Sequence, residues 1–65
     1  MRQPTADERA DLERLMKRRG HDERTKAIAI IHALNGRTTA EIAVAVGRTT
    51  ATVANWLRQW EAGKL

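Results

Sequence analysis

A chain of 65 residues can form only one small domain, and a domain of this size buries only about 60% of the surface that its unfolded chain exposes. That size excludes a deep catalytic cleft, and the lack of cysteine excludes disulfides and thiolate metal sites. The net charge of +4 favours an anionic partner such as nucleic acid, and no apolar run is long enough to cross a membrane.

The first predicted helix covers residues 5–19 and would precede the rest of the domain. Thr5 can cap this helix, and Glu8 lies three residues later, which is the spacing of a capping box. Gly20 follows as a natural stop. The apolar residues of this helix share one face at helical spacing: Leu12, Leu15 and Met16.

A second helix is predicted from about Asp22 to Leu34. Asn35 and Gly36 should end it, because glycine readily adopts the left-handed conformation of a helix C-terminus. Its apolar stripe contains Ala27, Ile30, Ile31 and Leu34, with Ile28 at the edge.

Two shorter helices complete the prediction. Thr38 caps the third helix, again with a glutamate three residues later, and Gly47 ends it. Thr49 caps the fourth helix, which Gly63 ends. The apolar residues of the fourth helix recur at i, i+3, i+4 and i+7: Val53, Trp56, Leu57 and Trp60.

No segment shows the alternating pattern of a strand, so the predicted fold class is all-α. We expect one domain over residues 1–65, a small bundle of about four helices. An additional N-terminal helix at about 5–19 would precede a helix-turn-helix core at about 22–62.

The segment 38–60 has the pattern of a helix-turn-helix. Two helices must cross steeply with a short turn between them, and Gly47 supplies a residue that tolerates the turn. Ala43, four residues earlier, is small enough to let the helices approach closely. The apolar residues expected to seal the crossing are Ile42, Val46, Val53 and Trp56.

The face of the fourth helix opposite its apolar stripe is the expected DNA-contacting surface. Asparagine can pair with adenine and arginine with guanine, while alanine and threonine methyls can touch the thymine methyl. The N-termini of the last two helices can donate N–H groups to phosphates, with an arginine beside each. No acidic residue lies between Glu41 and Glu61, so we expect nothing on this face to repel phosphate. The candidate DNA-binding residues are Arg37, Arg48, Thr49, Thr50, Ala51, Thr52, Asn55 and Arg58.

Most of the chain resembles the N-terminal DNA-binding region of bacterial mariner-like insertion-sequence transposases, a paired-like or homeodomain-like helix-turn-helix. The resemblance lies in the first helix, in residues 24–36, in Thr-Ala-Glu-Ile-Ala at 39–43 and in Val-Gly-Arg-Thr-Thr-Ala-Thr-Val-Ala-Asn-Trp-Leu at 46–57. It implies recognition of the terminal inverted repeats of a transposon. Cleavage in that family belongs to a separate ribonuclease-H-like domain with three acidic residues, which these 65 residues do not contain.

The chain departs from the family pattern at two places. Arg48 stands where the family usually has an apolar residue, which indicates a more solvated turn or an added phosphate contact. The family also tends to carry more arginine on the recognition helix, where this chain has Ala54 and Asn55. The second departure predicts modest phosphate affinity.

Two alternatives remain open at the level of the sequence. The chain could be a small transcriptional regulator derived from a transposase, or a protein-interaction module of the antitoxin or adaptor kind. The second alternative is motivated by the amphipathic first helix, whose apolar face could pack on a partner.

An enzyme is not expected, because no nucleophile–base pair, metal cluster or phosphate loop occurs. His21 and His32 are too isolated to suggest a metal site, so neither a metal nor another cofactor is predicted. The expected partner is double-stranded DNA, with a homodimer as a further possibility and no small-molecule ligand. A cytoplasmic location is the default, and the resemblance implies the bacterial cytoplasm and nucleoid.

Overall fold

Four helices pack around two adjoining apolar clusters in the computed structural model, which describes residues 2–17 and 21–63. Within these ranges there is no strand, and the all-α prediction is confirmed. The helices are α1 (Ala6–Met16), α2 (His21–Leu34), α3 (Thr39–Val46) and α4 (Thr50–Glu61). No helix in the described ranges is long and apolar enough to span a bilayer.

The predicted N-caps Thr5, Thr38 and Thr49 begin α1, α3 and α4. At α1, the Thr5 hydroxyl accepts the Glu8 N–H at 3.2 Å, and the Glu8 carboxylate accepts the Thr5 N–H at 2.9 Å. Thr38 and Glu41 form the same reciprocal pair at α3, at 3.2 and 3.0 Å. The Thr38 N–H holds the pKa of Glu41 below its ordinary value. These bonds satisfy N–H groups that a helix otherwise leaves without partners.

The end of α1 differs from the prediction. The helix ends at Met16, with Lys17 as its C-cap, which is earlier than predicted. Arg18, Arg19 and Gly20, the expected end and stop, lie outside the described residues. Met16 lies on the same face as Leu12, one turn later, but as the last residue of the helix it is 38% exposed and is not part of the core.

The core lies on two sides of α2. One cluster joins α2, α3 and α4, and consists of Ala29, Ile42, Ala43, Val53 and Trp56. The other joins α1, α2 and α4, and consists of Leu12, Ala27, Ile30 and Trp60. Ala29 was not part of the predicted stripe but is fully buried. Because neighbours cover α2 on two sides, its buried arc is wider than a single stripe.

Arg2 clasps the N-terminal segment to the end of α4, and this contact was not predicted. Its guanidinium donates two hydrogen bonds of 2.8 Å to the Glu8 carboxylate and lies 4.4 Å from the centre of the Trp60 ring system. It also donates to the Trp60 carbonyl at 2.6 Å, while the Trp60 indole N–H donates to the Arg2 carbonyl at 3.1 Å. The Arg2 hydrogen bonds lower the pKa of Glu8 to about 2. This set of contacts, the Arg2 clasp, fixes α1 against the C-terminal turn of α4.

Candidate nucleic-acid interface

The turn between α3 and α4 has the geometry expected of a helix-turn-helix. Gly47 caps α3 in the left-handed conformation, with φ +70°, and its N–H donates to the Ala43 carbonyl. The Arg48 N–H donates to the same carbonyl at 3.0 Å, and Thr49 then begins α4 as its N-cap. A Cβ at residue 47 would meet no atom within 4 Å, so glycine is required here for its backbone conformation and not for space.

The crossing of α3 and α4 is sealed by the residues that the sequence indicated. Ile42, Ala43, Val53 and Trp56 are all buried in one cluster, and Val46 packs against it. Val53 is completely inaccessible to solvent and Trp56 is 6% exposed. This packing holds α4 by one face and leaves its opposite face free for a partner.

That opposite face is exposed to solvent as predicted. Ala51, Asn55 and Arg58 lie at i, i+4 and i+7, which places them in one stripe along the helix. Thr50 is exposed at the N-terminal tip of the same helix. We call these four exposed residues the recognition face: Thr50, Ala51, Asn55 and Arg58.

Thr49 and Thr52 are engaged within the protein. The Thr49 hydroxyl accepts the Thr52 N–H at 3.2 Å, and the two hydroxyls lie 3.0 Å apart. Thr52 is half-buried, so it lies at the edge of the recognition face and helps to hold the cap. Both residues thereby fix the N-terminal turn of α4, where N–H groups are directed outward.

Arg37 and Arg48 flank the N-termini of α3 and α4. Arg37 is exposed, directly precedes the Thr38 cap, and has its backbone N–H bonded to the His32 carbonyl at 3.1 Å. Arg48 directly precedes the Thr49 cap, and its guanidinium donates to the Asp22 carboxylate at 2.8 Å. A carboxylate thus lies beside the N-terminus of α4, although the chain has no acidic residue between Glu41 and Glu61. Asp22 comes from the first turn of α2, 26 positions earlier, and no local sequence pattern indicates the contact.

A family model for the homeodomain-like domain matches residues 21–65. The chain belongs to the homeodomain-like family. Neither the curated proteins nor the solved structures include a significant match to the chain. Family membership together with the α3–turn–α4 geometry indicates a helix-turn-helix domain that binds DNA. The narrower resemblance to mariner-like transposases is taken up as a proposal below.

The homeodomain-like match begins at the first residue of α2, so α1 is an addition outside it. Leu12 of α1 is buried against α2 and α4, and Leu15 packs on the same cluster. The apolar face of α1 is thus occupied by its own domain. The protein-interaction alternative was motivated by the amphipathic α1. Because α2 and α4 cover its apolar face, this helix no longer motivates that alternative.

A groove lies apart from the α3–α4 surface. It has a volume of about 280 Å³ and lies between α1 and the end of α2, with Leu12, Ile31 and Leu34 among its lining residues. None of the candidate DNA-binding residues lines it. Over residues 2–17 and 21–63, no group of three or more His, Cys, Asp or Glu side chains is arranged to hold a metal ion.

Proposed function

We propose that this homeodomain-like domain binds double-stranded DNA in a sequence-specific manner by placing the recognition face of α4 in the major groove. The observation that carries the proposal is the division of α4 into two faces. Val53, Trp56 and Trp60 are buried on one side, and polar side chains able to contact bases are exposed on the other.

The chemistry of the recognition face favours contact with base edges over contact with phosphate. The Asn55 amide offers a donor and an acceptor that match adenine, and the Arg58 guanidinium offers two N–H donors that match guanine. Ala51, one turn before Asn55, is small and apolar, which suits the methyl group of thymine. Arg37, Arg48 and the N–H groups of the capped helix ends would contact the backbone and set the orientation of the domain.

We further propose that the DNA target is the terminal inverted repeat of a mariner-like insertion sequence, and that the domain serves a transposase. This part of the proposal is supported by the resemblance of residues 24–36, 39–43 and 46–57 to that family. In transposition, these residues would recognise the transposon end, and residues outside them would carry out strand cleavage.

Selection of bound duplexes from a random pool tests both parts of the proposal. Sequence-specific binding should enrich a defined motif, and the motif should match the inverted ends of a transposable element. An enriched motif that lies in promoters instead would refute the transposase role and retain the DNA-binding one. Recovery of a random pool would refute sequence-specific recognition. A palindromic motif would indicate a homodimer, because the symmetry of a site mirrors that of the protein.

Replacement of two recognition-face residues tests the assigned surface. Asn55→Ala and Arg58→Ala should each weaken binding to the selected duplex by about 1–3 kcal/mol, because each removes a base contact. Binding to a random duplex should change much less, and thermal unfolding should be nearly unaffected, because both side chains are exposed.

Arg14→Ala is the matched control for Arg58→Ala. Arg14 is an exposed arginine on α1, where it pairs with Asp11, so its removal makes the same change in net charge away from α4. Full affinity of both recognition-face variants for the selected duplex would show that another surface contacts the bases.

A further inference from the structure

The Arg48–Asp22 ion pair lies at the edge of the proposed DNA interface and has no evident role in the fold. The two side chains are exposed, at 40% for Arg48 and 76% for Asp22, and ion pairs exposed to this degree add little to stability. Arg48 therefore does not need Asp22 in order to keep its place in the turn.

The backbone of Arg48 is held independently of its side chain. Its N–H donates to the Ala43 carbonyl at 3.0 Å, and the residues on either side are the C-cap of α3 and the N-cap of α4. Only the guanidinium is therefore free to exchange partners. In the free protein its partner is the Asp22 carboxylate at 2.8 Å.

A phosphate that approaches the N-terminus of α4 would find the Arg48 guanidinium already paired with Asp22. The helix end and the Arg48 guanidinium both attract a phosphate, whereas Asp22 competes with the phosphate for the same guanidinium. The Arg48 and Asp22 side chains are 2.8 Å apart, well within the Debye length of about 10 Å at 0.1 M salt, so screening does not remove their attraction.

We propose that Asp22 is an affinity-limiting residue of the DNA interface, which acts by holding Arg48 in an ion pair that backbone binding must break. This inference rests on the proposed DNA-binding function and extends it. Asp22 acts through Arg48, so it is a positioning residue and makes no contact with the DNA. The restraint applies equally to every sequence, because phosphate carries no sequence information.

A double-mutant cycle on binding to a random-sequence duplex of about 20 base pairs tests the inference. Asp22→Asn keeps the size of the side chain and should tighten binding about three- to ten-fold at 0.1 M salt. The slope of log affinity against log salt should stay nearly the same, since Arg48 contacts phosphate in both proteins once the ion pair is broken. In an Arg48→Gln background the same substitution should change affinity by less than about two-fold.

Glu13→Gln is the matched control, since it removes one exposed carboxylate from α1, outside the helix-turn-helix. It should leave binding at 0.1 M salt within about two-fold of the unmodified protein. A purely structural role for Asp22 would lower the urea midpoint of Asp22→Asn and weaken its binding to the duplex, and that result would overturn the inference.

Two further results would overturn the inference. One is an equal gain in duplex affinity from Asp22→Asn with and without Arg48, which would show that Asp22 acts through its charge alone and not through Arg48. The other is the absence of any gain. Failure of the proposed function itself looks different, because the pool selection would then recover random sequences, or neither the unmodified protein nor any of its variants would bind the duplex.

Discussion

Replacement of Gly47 by alanine tests the turn on which the interface depends. An L-residue in the left-handed region costs about 1–2 kcal/mol, and Gly47 lies there with φ +70°. A Cβ at this position meets no atom within 4 Å, so no steric cost adds to the conformational one. The smaller entropy of alanine in the unfolded chain offsets about 0.4–1 kcal/mol of it. We therefore expect Gly47→Ala to lower the free energy of unfolding by about 1 kcal/mol.

That loss is measurable in a domain of 65 residues. Total stability on the order of 3–10 kcal/mol is expected for this length, and a loss of 1 kcal/mol should lower the melting temperature by about 4–8 °C. Urea and thermal unfolding, followed by circular dichroism and by the fluorescence of the two tryptophans, would give both quantities.

Two matched variants separate the conformational cause from other causes. Gly47→Asn should lose less stability than Gly47→Ala, because asparagine tolerates the left-handed region better. Gly36→Ala should lose about as much as Gly47→Ala, since Gly36 has φ +85° and equally open surroundings. Unchanged or increased stability of Gly47→Ala would refute the conformational requirement. So would a loss in Gly47→Asn that equals the loss in Gly47→Ala.

Two further predictions concern pH and salt. The pKa of Glu8 is lowered from 4.5 to about 2, so its interaction with Arg2 stabilises the fold fully above pH 4.5 and is lost as the pH falls towards 2. Glu8→Gln should therefore be less stable than the unmodified protein at pH 7, and its stability should fall less between pH 4.5 and 2. If the urea midpoints of the two proteins fell by the same amount over this pH range, the result would contradict the Arg2 clasp. Binding to random duplex should weaken about 10- to 40-fold between 50 and 200 mM salt if two or three arginines contact phosphates, since each contributes a slope of about 0.9. Affinity independent of salt in a titration series would exclude Arg37 and Arg48 as backbone contacts.

Much of the helix-turn-helix could be predicted because its signals are local. Thr38 with Glu41, Thr49 and Gly47 mark the helix ends through hydrogen bonds that span only a few residues. The spacing of Val53, Trp56 and Trp60 then determines the buried side of α4 and, by exclusion, the exposed side. The recognition face therefore follows from helical periodicity alone, without knowledge of how the helices pack.

The prediction was least accurate wherever burial depends on neighbours. Ala29 is buried because α2 is covered on two sides, which a search for one apolar stripe does not anticipate. Met16 has the correct spacing for the apolar face of α1, yet it is exposed at the end of a helix shorter than predicted. In both cases the spacing gives the direction of a side chain, and the packing of helices decides what lies in that direction.

By itself, the sequence determined the four helices, the turn at Gly47 and the exposed face of α4, because caps and periodicity act within one or two turns. Only the tertiary structure revealed the Arg2 clasp, which joins positions 58 residues apart, and the Asp22–Arg48 pair, which joins positions 26 apart. Charged side chains carry no local signal of a distant partner. Their pairing is decided when the helices pack, and at Arg48 that packing places a carboxylate beside the proposed DNA interface.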